Sequence, residues 1–194
     1  MKSQAIIVRI LGNKGSRIIM LDKKEGMIEL FSYHSHRLQV GYELTYEAIQ
    51  KHNNTHLKEY TITHWPHYLI TTNIFFLHHI FELLYYFVPV GSCTQYLFLF
   101  LNELYTYNEE HGTMNNDHKR FFLIKFFHLI GIYEQEDEEF QTLLKSLVSI
   151  PIDSFNNKIL DLPERKKIDF WLHLCIESHP ASKLFITKNI LKHN

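Results

Sequence analysis

The chain has 194 residues, 45% hydrophobic and 21% charged, with 20 Lys/Arg against 21 Asp/Glu. That composition suits a soluble folded protein of one large domain or two small ones and excludes a polycation. Its two cysteines, Cys93 and Cys175, are far apart in sequence, which excludes a disulfide framework or a paired-Cys metal motif and fits a reducing compartment.

The charge is uneven. Residues 1–70 carry nine Lys/Arg against six Asp/Glu, and residues 71–194 carry eleven against fifteen. Nucleic-acid contact is therefore sought first in the N-terminal part. Gln4 to Leu11 is a β-rich run and reads as the first strand. The chain enters it almost directly from Met1, which predicts no signal peptide. Gly12-Asn13-Lys14-Gly15 lacks the Walker spacing and precedes a strand, so it reads as an ordinary turn. Gly15 to Phe31 reads as a hairpin. Arg17 to Asp22 and Met27 to Phe31 are taken as alternating, half-buried strands, with Gly26 ending a tight polar turn. The second of these strands is expected to run on to about Ser35. Tyr42 to Gln50 is a fourth strand. Thr55 to Trp65 is a fifth, with Leu57, Glu59, Thr61 and Thr63 on one face and Lys58, Tyr60, Ile62 and His64 on the other. Pro66 ends it. Five strands in about 65 residues match a small closed barrel such as an OB-fold, although an SH3-like barrel has similar counts.

From Thr72 the apolar period lengthens to that of a helix. Asn73 is an expected N-cap, and Ile74, Leu77, Ile80, Phe81, Leu84 and Val88 make one face. Pro89-Val90-Gly91 breaks this helix, and Ser92 is expected to cap the next, which runs to about Tyr107. Asp117 is expected to cap a third helix, His118 to Ile130, closed by Gly131. An acidic run from Glu134 to Glu139 opens a fourth helix ending near Ile150. Glu164 to Ser178 is a fifth, with Pro163 in its first turn. Lys183 to Lys192 is a short last one. The predicted architecture is α+β: an OB-fold barrel over residues 1–70 and a helical domain over 71–194, packed together without a tether. The most apolar stretches, Ile74–Val90 and Tyr96–Tyr107, are too short or too polar to span a bilayer, so no membrane span is expected.

Chemistry-bearing patterns are few. His34 and His36 share one face of an extended strand but lack further ligands at fixed spacing, so no metal or other cofactor is expected. There is no GxSxG, and neither Cys has a His at a recognisable spacing, so nothing here asks for an enzyme. The acidic run favours a helix start rather than a cation site. The basic set Arg9, Lys14, Arg17, Lys23, Lys24 and Arg37 is the better signal, because such groups neutralise phosphates and release counterions. Tyr33, Tyr42 and Tyr46 are candidate stacking faces for bases. Lys119-Arg120, directly before Phe121-Phe122, is a basic pair beside an apolar surface, suited to an acidic peptide with a hydrophobic end and a free carboxylate.

The order of these parts resembles the bacterial recombination mediator RecO family. AIIVRILGNKGSRIIMLDKKEGMIELFSY is similar to that family's opening, and LKEYTI lies where its OB-fold ends. LHHIFELLYYFVP and YLFLFLNELY resemble its first helical pair, KRFFLIKFFHLIG its Gly-ended helix, and HPASKLF its C-terminal segment. The resemblance covers most of the chain and rests on order and hydrophobic placement. It implies a cytoplasmic, non-enzymatic DNA repair protein. Such a protein binds single- and double-stranded DNA, anneals complementary strands, and loads RecA with RecR on DNA coated by single-strand-binding protein (SSB). It implies phosphate contacts from Arg9, Lys14, Arg17, Lys23, Lys24 and Arg37, with Tyr33 stacking. It also implies docking of the acidic SSB tail at Lys119 and Arg120. The family's four-Cys zinc element has no counterpart, since Ile132 to Ile150 contains no Cys. The competing expectation is a helical interaction adaptor with a degenerate barrel. The DNA-binding expectation requires the basic side chains to gather on one exposed face.

Overall fold

The computed structural model describes residues 2–12, 16–32, 37–67, 71, 73–132, 137–151, 154 and 160–187. Five strands come first: β1 (Ser3–Leu11), β2 (Ser16–Asp22), β3 (Gly26–Ser32), β4 (Glu43–Lys51) and β5 (Asn54–His64). They close into a barrel in the order β1-β2-β3-β5-β4. Every pairing is antiparallel except β3 with β5, which meet in parallel at Phe31 and His56. This is the five-stranded Greek-key barrel of the OB-fold, and a helical block follows it.

The barrel interior is lined by Ala5, Ile7, Ile18, Met20, Leu30, Leu44 and Leu57. Alternate residues of β1 to β3 point outward, as the strand period demands. Yet Ile6, Val8, Ile19, Leu21 and Met27 are buried too, in one apolar cluster with the helices. Ile18 to Leu21 is therefore buried on both faces, not half-buried as the hairpin reading had it. A strand covered on both sides reads as a continuous apolar run. The fifth strand also departs from its expected faces. Leu57 and Tyr60 both pack on the barrel interior, because the register slips between Glu47 and Ala48 and places Lys58 in a bulge. One extra residue reverses the phase of everything after it.

Five helices follow among the described residues: α1 (Ile74–Phe87), α2 (Gln95–His111), α3 (Asn116–Leu129), α4 (Glu138–Ser149) and α5 (Leu162–Glu177), then a 3-10 turn at Ser182–Leu184. The expected apolar face of α1 is buried at Leu77, Ile80, Phe81, Leu84 and Val88. Several caps differ from expectation. Asn73 does not cap α1 with its side chain; its amide donates to Asn108 Oδ1 at 2.7 Å in the interior. Ser92 does not start α2. Its hydroxyl donates to the Pro89 carbonyl at 2.6 Å, and its own carbonyl accepts from Met27 N at 3.1 Å. Asn115, rather than Asp117, caps α3. Asp137 caps α4, and Asp161 with Glu164 forms a capping box on α5. Of the predicted last helix, the described part holds only the 3-10 turn and the bend after it, and the rest lies outside the described residues.

Phe76, Phe98, Phe100, Phe121, Phe122, Phe126 and Phe127 fill the helical core, which runs without interruption into the outer barrel face. No helix of the described residues is long and apolar enough to cross a membrane.

Within that core His79 is 1% exposed. Burial lowers its pKa from 6.5 to about 4, against an opposing pull from Glu82. As pH falls below 6.5, the unfolded chain binds a proton that the folded chain refuses, so stability is lost as pH drops toward 4. The expected loss from this group between pH 7 and pH 5 is about 2 kcal/mol. Denaturant unfolding at the two pH values should show it, and His79→Gln should flatten the difference by that amount. An equal pH dependence in the variant would refute the assignment.

Candidate nucleic-acid interface

The outward residues of β1 to β3 that the helices leave uncovered are Arg9, Arg17 and Glu29. The strand register explains their convergence: Arg9 lies opposite Ile19, Ile19 opposite Glu29, and Arg17 one outward position further along β2. The end of α1 crosses beside them. Tyr85, Tyr86, Val88, Pro89 and Val90 form one wall of a groove of about 450 Å³, with Arg17, Ile19, Met27 and Glu29 on the sheet side and His179 and Ala181 closing it. The Arg9 guanidinium lies over the Tyr85 ring at 4.2 Å and the Tyr86 ring at 5.8 Å. The two tyrosines meet edge to face at 4.9 Å. A cation held on aromatic faces keeps its charge available to an anion in the groove.

Arg17 donates twice to Glu29, both at 2.7 Å. That fork holds the Glu29 carboxyl below its ordinary pKa and leaves the pair formally neutral. Arg17 therefore offers a polyanion less than a free guanidinium would.

Lys23 and Lys24 sit at the β2–β3 turn. Asp22 Oδ1 organises this turn, accepting from Lys24 N at 2.7 Å and Glu25 N at 2.9 Å. Lys23 Nζ donates to Gln4 Oε1 at 3.0 Å. The Lys24 carbonyl accepts from Gln95 Nε2 at 3.2 Å, so the turn is docked on the start of α2. Both lysines are exposed. The groove leads toward this turn, since Met27 and Val90 line its near end and Met27 O accepts from Gly91 N at 2.7 Å.

Arg37 lies elsewhere. With Lys2, Lys58, Thr45, Tyr60 and Glu47 it lines a second, wider groove of about 750 Å³ against β4 and β5. There Lys58 is bonded to Glu47 at 3.3 Å and lies 3.5 Å from Glu59. Lys14 and Tyr33, the other two predicted contacts, lie outside the described residues, as do His34 and His36. Thus Arg9 and Arg17 come together, Lys23 and Lys24 flank them, and Arg37 stands apart. The expectation of a single basic face fails.

Tyr42 and Tyr46 are not stacking faces. Both are buried in the barrel, and the Tyr46 hydroxyl donates to Asp22 Oδ2 at 2.8 Å. Burial and that carboxylate drive its pKa far above the ordinary value. The aromatic faces that do accompany the cations, Tyr85 and Tyr86, come from a helix about 70 residues away from β2. The only sequence signal is two polar aromatics together at the end of an otherwise oily run, LLYYF.

Lys119 and Arg120 also differ from the sequence picture. Arg120 is buried, donating to Asp169 at 2.7 and 2.8 Å and to Asp117 at 2.9 Å. Asp117 in turn accepts from Arg165 at 2.6 Å. Arg120 braces α3 against α5, and its charge is spent internally. Lys119 is half-buried, and burial lowers its pKa.

No protein-family model matches this chain, and no curated protein sequence matches it.

Proposed function

We propose that this chain is a non-catalytic DNA-binding mediator of the RecO kind, acting on single- and double-stranded DNA in the cytoplasm. In this reading it anneals strands and assists RecA loading together with RecR and SSB. The observation that carries it is the OB-type barrel, β1-β2-β3-β5-β4, sharing one core with the helical block, in the order of parts that the sequence resemblance implies. On OB barrels the face of the second and third strands is the usual nucleic-acid platform. Here the helices cover half of that face, and the uncovered half is the groove of Arg9, Arg17, Tyr85 and Tyr86. A single strand lies along the groove, its bases on Tyr85 or Tyr86 and its phosphates toward Arg9 and the Lys23–Lys24 turn.

The test is fluorescence anisotropy of a labelled single-stranded oligonucleotide across a salt series. Affinity should fall steeply with salt as counterions are released. Tyr86→Ala should weaken binding about tenfold, the size of one lost stacking contact. Reversing Lys23 and Lys24 to Glu should weaken it further and flatten the salt slope by about two. Arg37→Ala should leave affinity within about twofold, since Arg37 lies in the other groove. Equal losses from Arg37→Ala and Tyr86→Ala would discard the seam as the strand path.

One set of observations favours a second reading, a protein-interaction adaptor with a degenerate barrel. The helices occupy much of the platform, and Glu29 neutralises Arg17. Capture of RecR or of an SSB-tail peptide with no oligonucleotide binding at low salt would select that reading.

A further inference from the structure

We propose that Glu82 and His79 of α1 form a clasp on the segment Phe185–Thr187, and that this clasp positions the aromatic wall of the groove. His79, Glu82 and Tyr86 are spaced three and four residues apart, so they form one stripe along α1. The segment lies along that stripe. Glu82 accepts from Ile186 N at 3.0 Å through Oε1, and through Oε2 from Thr187 N at 3.0 Å and the Thr187 hydroxyl at 2.5 Å. One carboxylate thus holds two successive backbone amides and a side chain.

The role of His79 follows from the hydroxyl. Thr187 Oγ1 has a single proton, and that proton goes to Glu82. His79 Nδ1, 2.8 Å from the same oxygen, must then be the donor. This selects the neutral tautomer with the proton on Nδ1. The other ring nitrogen, Nε2, is buried with no hydrogen-bond partner. An aromatic hydrocarbon would fill this site without that orphan, so the donation to Thr187 is what the imidazole adds.

The clasp bears on the groove through Phe185. With its neighbours pinned, Phe185 is buried against Tyr86 at 4.7 Å, Phe87 at 6.1 Å and His179 at 6.1 Å between ring centroids. His179 lies 4.3 Å from Phe87 and accepts from Ala181 N at 3.1 Å. Tyr86, His179 and Ala181 all line the groove. Glu82 and His79 touch nothing in the groove themselves and are positioning residues.

The test uses the full chain and hydrogen exchange read by mass spectrometry, with no DNA present. Thr187→Val removes only the hydroxyl, and Glu82→Gln removes the charge. Each should raise exchange across Phe185–Thr187 about tenfold or more, and the increase should extend to the His179–Leu184 stretch. Thr187→Ser should restore wild-type exchange, which a packing role for the threonine methyl would not do. Unchanged protection in both variants would overturn the clasp. Lost protection confined to Phe185–Thr187 would overturn its link to the groove. One further consequence rests on the nucleic-acid reading: Thr187→Val should weaken oligonucleotide binding at least threefold, with recovery in Thr187→Ser. If the wild-type chain binds no oligonucleotide, that reading fails, and the exchange data alone decide the clasp.

Discussion

Gly26→Ala is expected to destabilise the protein by about 4 kcal/mol, and to do so by prising the barrel from the helices rather than by opening the hairpin. Gly26 sits at φ +79, where a side chain is strained. That strain alone costs roughly 1–2 kcal/mol. The larger part is steric. A Cβ here would lie 1.9 Å from the Ser92 carbonyl oxygen and 2.7 Å from Thr94 N, both backbone atoms that no rotamer change can move aside. The α1–α2 connection would have to withdraw. It would take with it the bonds Met27 N to Ser92 O and Gly91 N to Met27 O, each worth about 1 kcal/mol. Gly91→Ala is the control. Gly91 also has positive φ, at +91, but a Cβ there meets nothing within 4 Å. It should cost only the strain, about 1 kcal/mol. Urea unfolding of both variants measures the difference, and near-equal losses would show that the close approach at Gly26 does not hold the two parts together.

The same contact shows where a one-dimensional reading runs out. The barrel's existence was legible because strands announce themselves locally, through β-rich runs, turn chemistry at Asp22–Gly26, and a length that closes with five strands. The faces were not legible. Ile18 to Leu21 is apolar throughout because helices lie on its outer side, and nothing within β2 says so. The bulge at Lys58 reverses β5 for a reason found only in its pairing with β4. Helix positions followed from period and breakers, yet the caps shifted wherever a side chain had a competing tertiary use. Asn73 serves Asn108, and Ser92 serves Pro89 and Met27.

The candidate site divides along the same line. Cations on β1 and β2 are visible as residues, but not what they spend their charge on. Arg17 spends it on Glu29, twelve residues away in sequence, while Arg9 rests on tyrosines from α1. Charge counts register the first forty residues as basic, whereas the folded surface offers fewer free cations than the count. A polyanion site here must draw on aromatic faces as much as on charge, and for that reason Tyr86 matters more to the binding test than Arg37.

Arg120 carries this logic furthest and sets a test of its own. Asp169→Ala should cost about 3 kcal/mol, because it removes the bidentate acceptor and leaves a buried guanidinium with Asp117 alone. Arg120→Met should cost less, about 1 kcal/mol, although it deletes the more buried partner. In that variant Asp117 keeps Arg165 at 2.6 Å, and Asp169, whose side chain is 37% exposed, returns to water. Methionine fills most of the vacated space. The expected asymmetry is the reverse of what exposure alone suggests, since an unpaired buried charge is worse than no charge. Unfolding of the two variants at low and high salt decides it. Because the network is shielded between α3 and α5, the Asp169→Ala loss should persist at high salt. Should Arg120→Met prove the more damaging, Arg120 contributes chiefly through the packing of its stem, and the ionic brace between the helices is not what holds them.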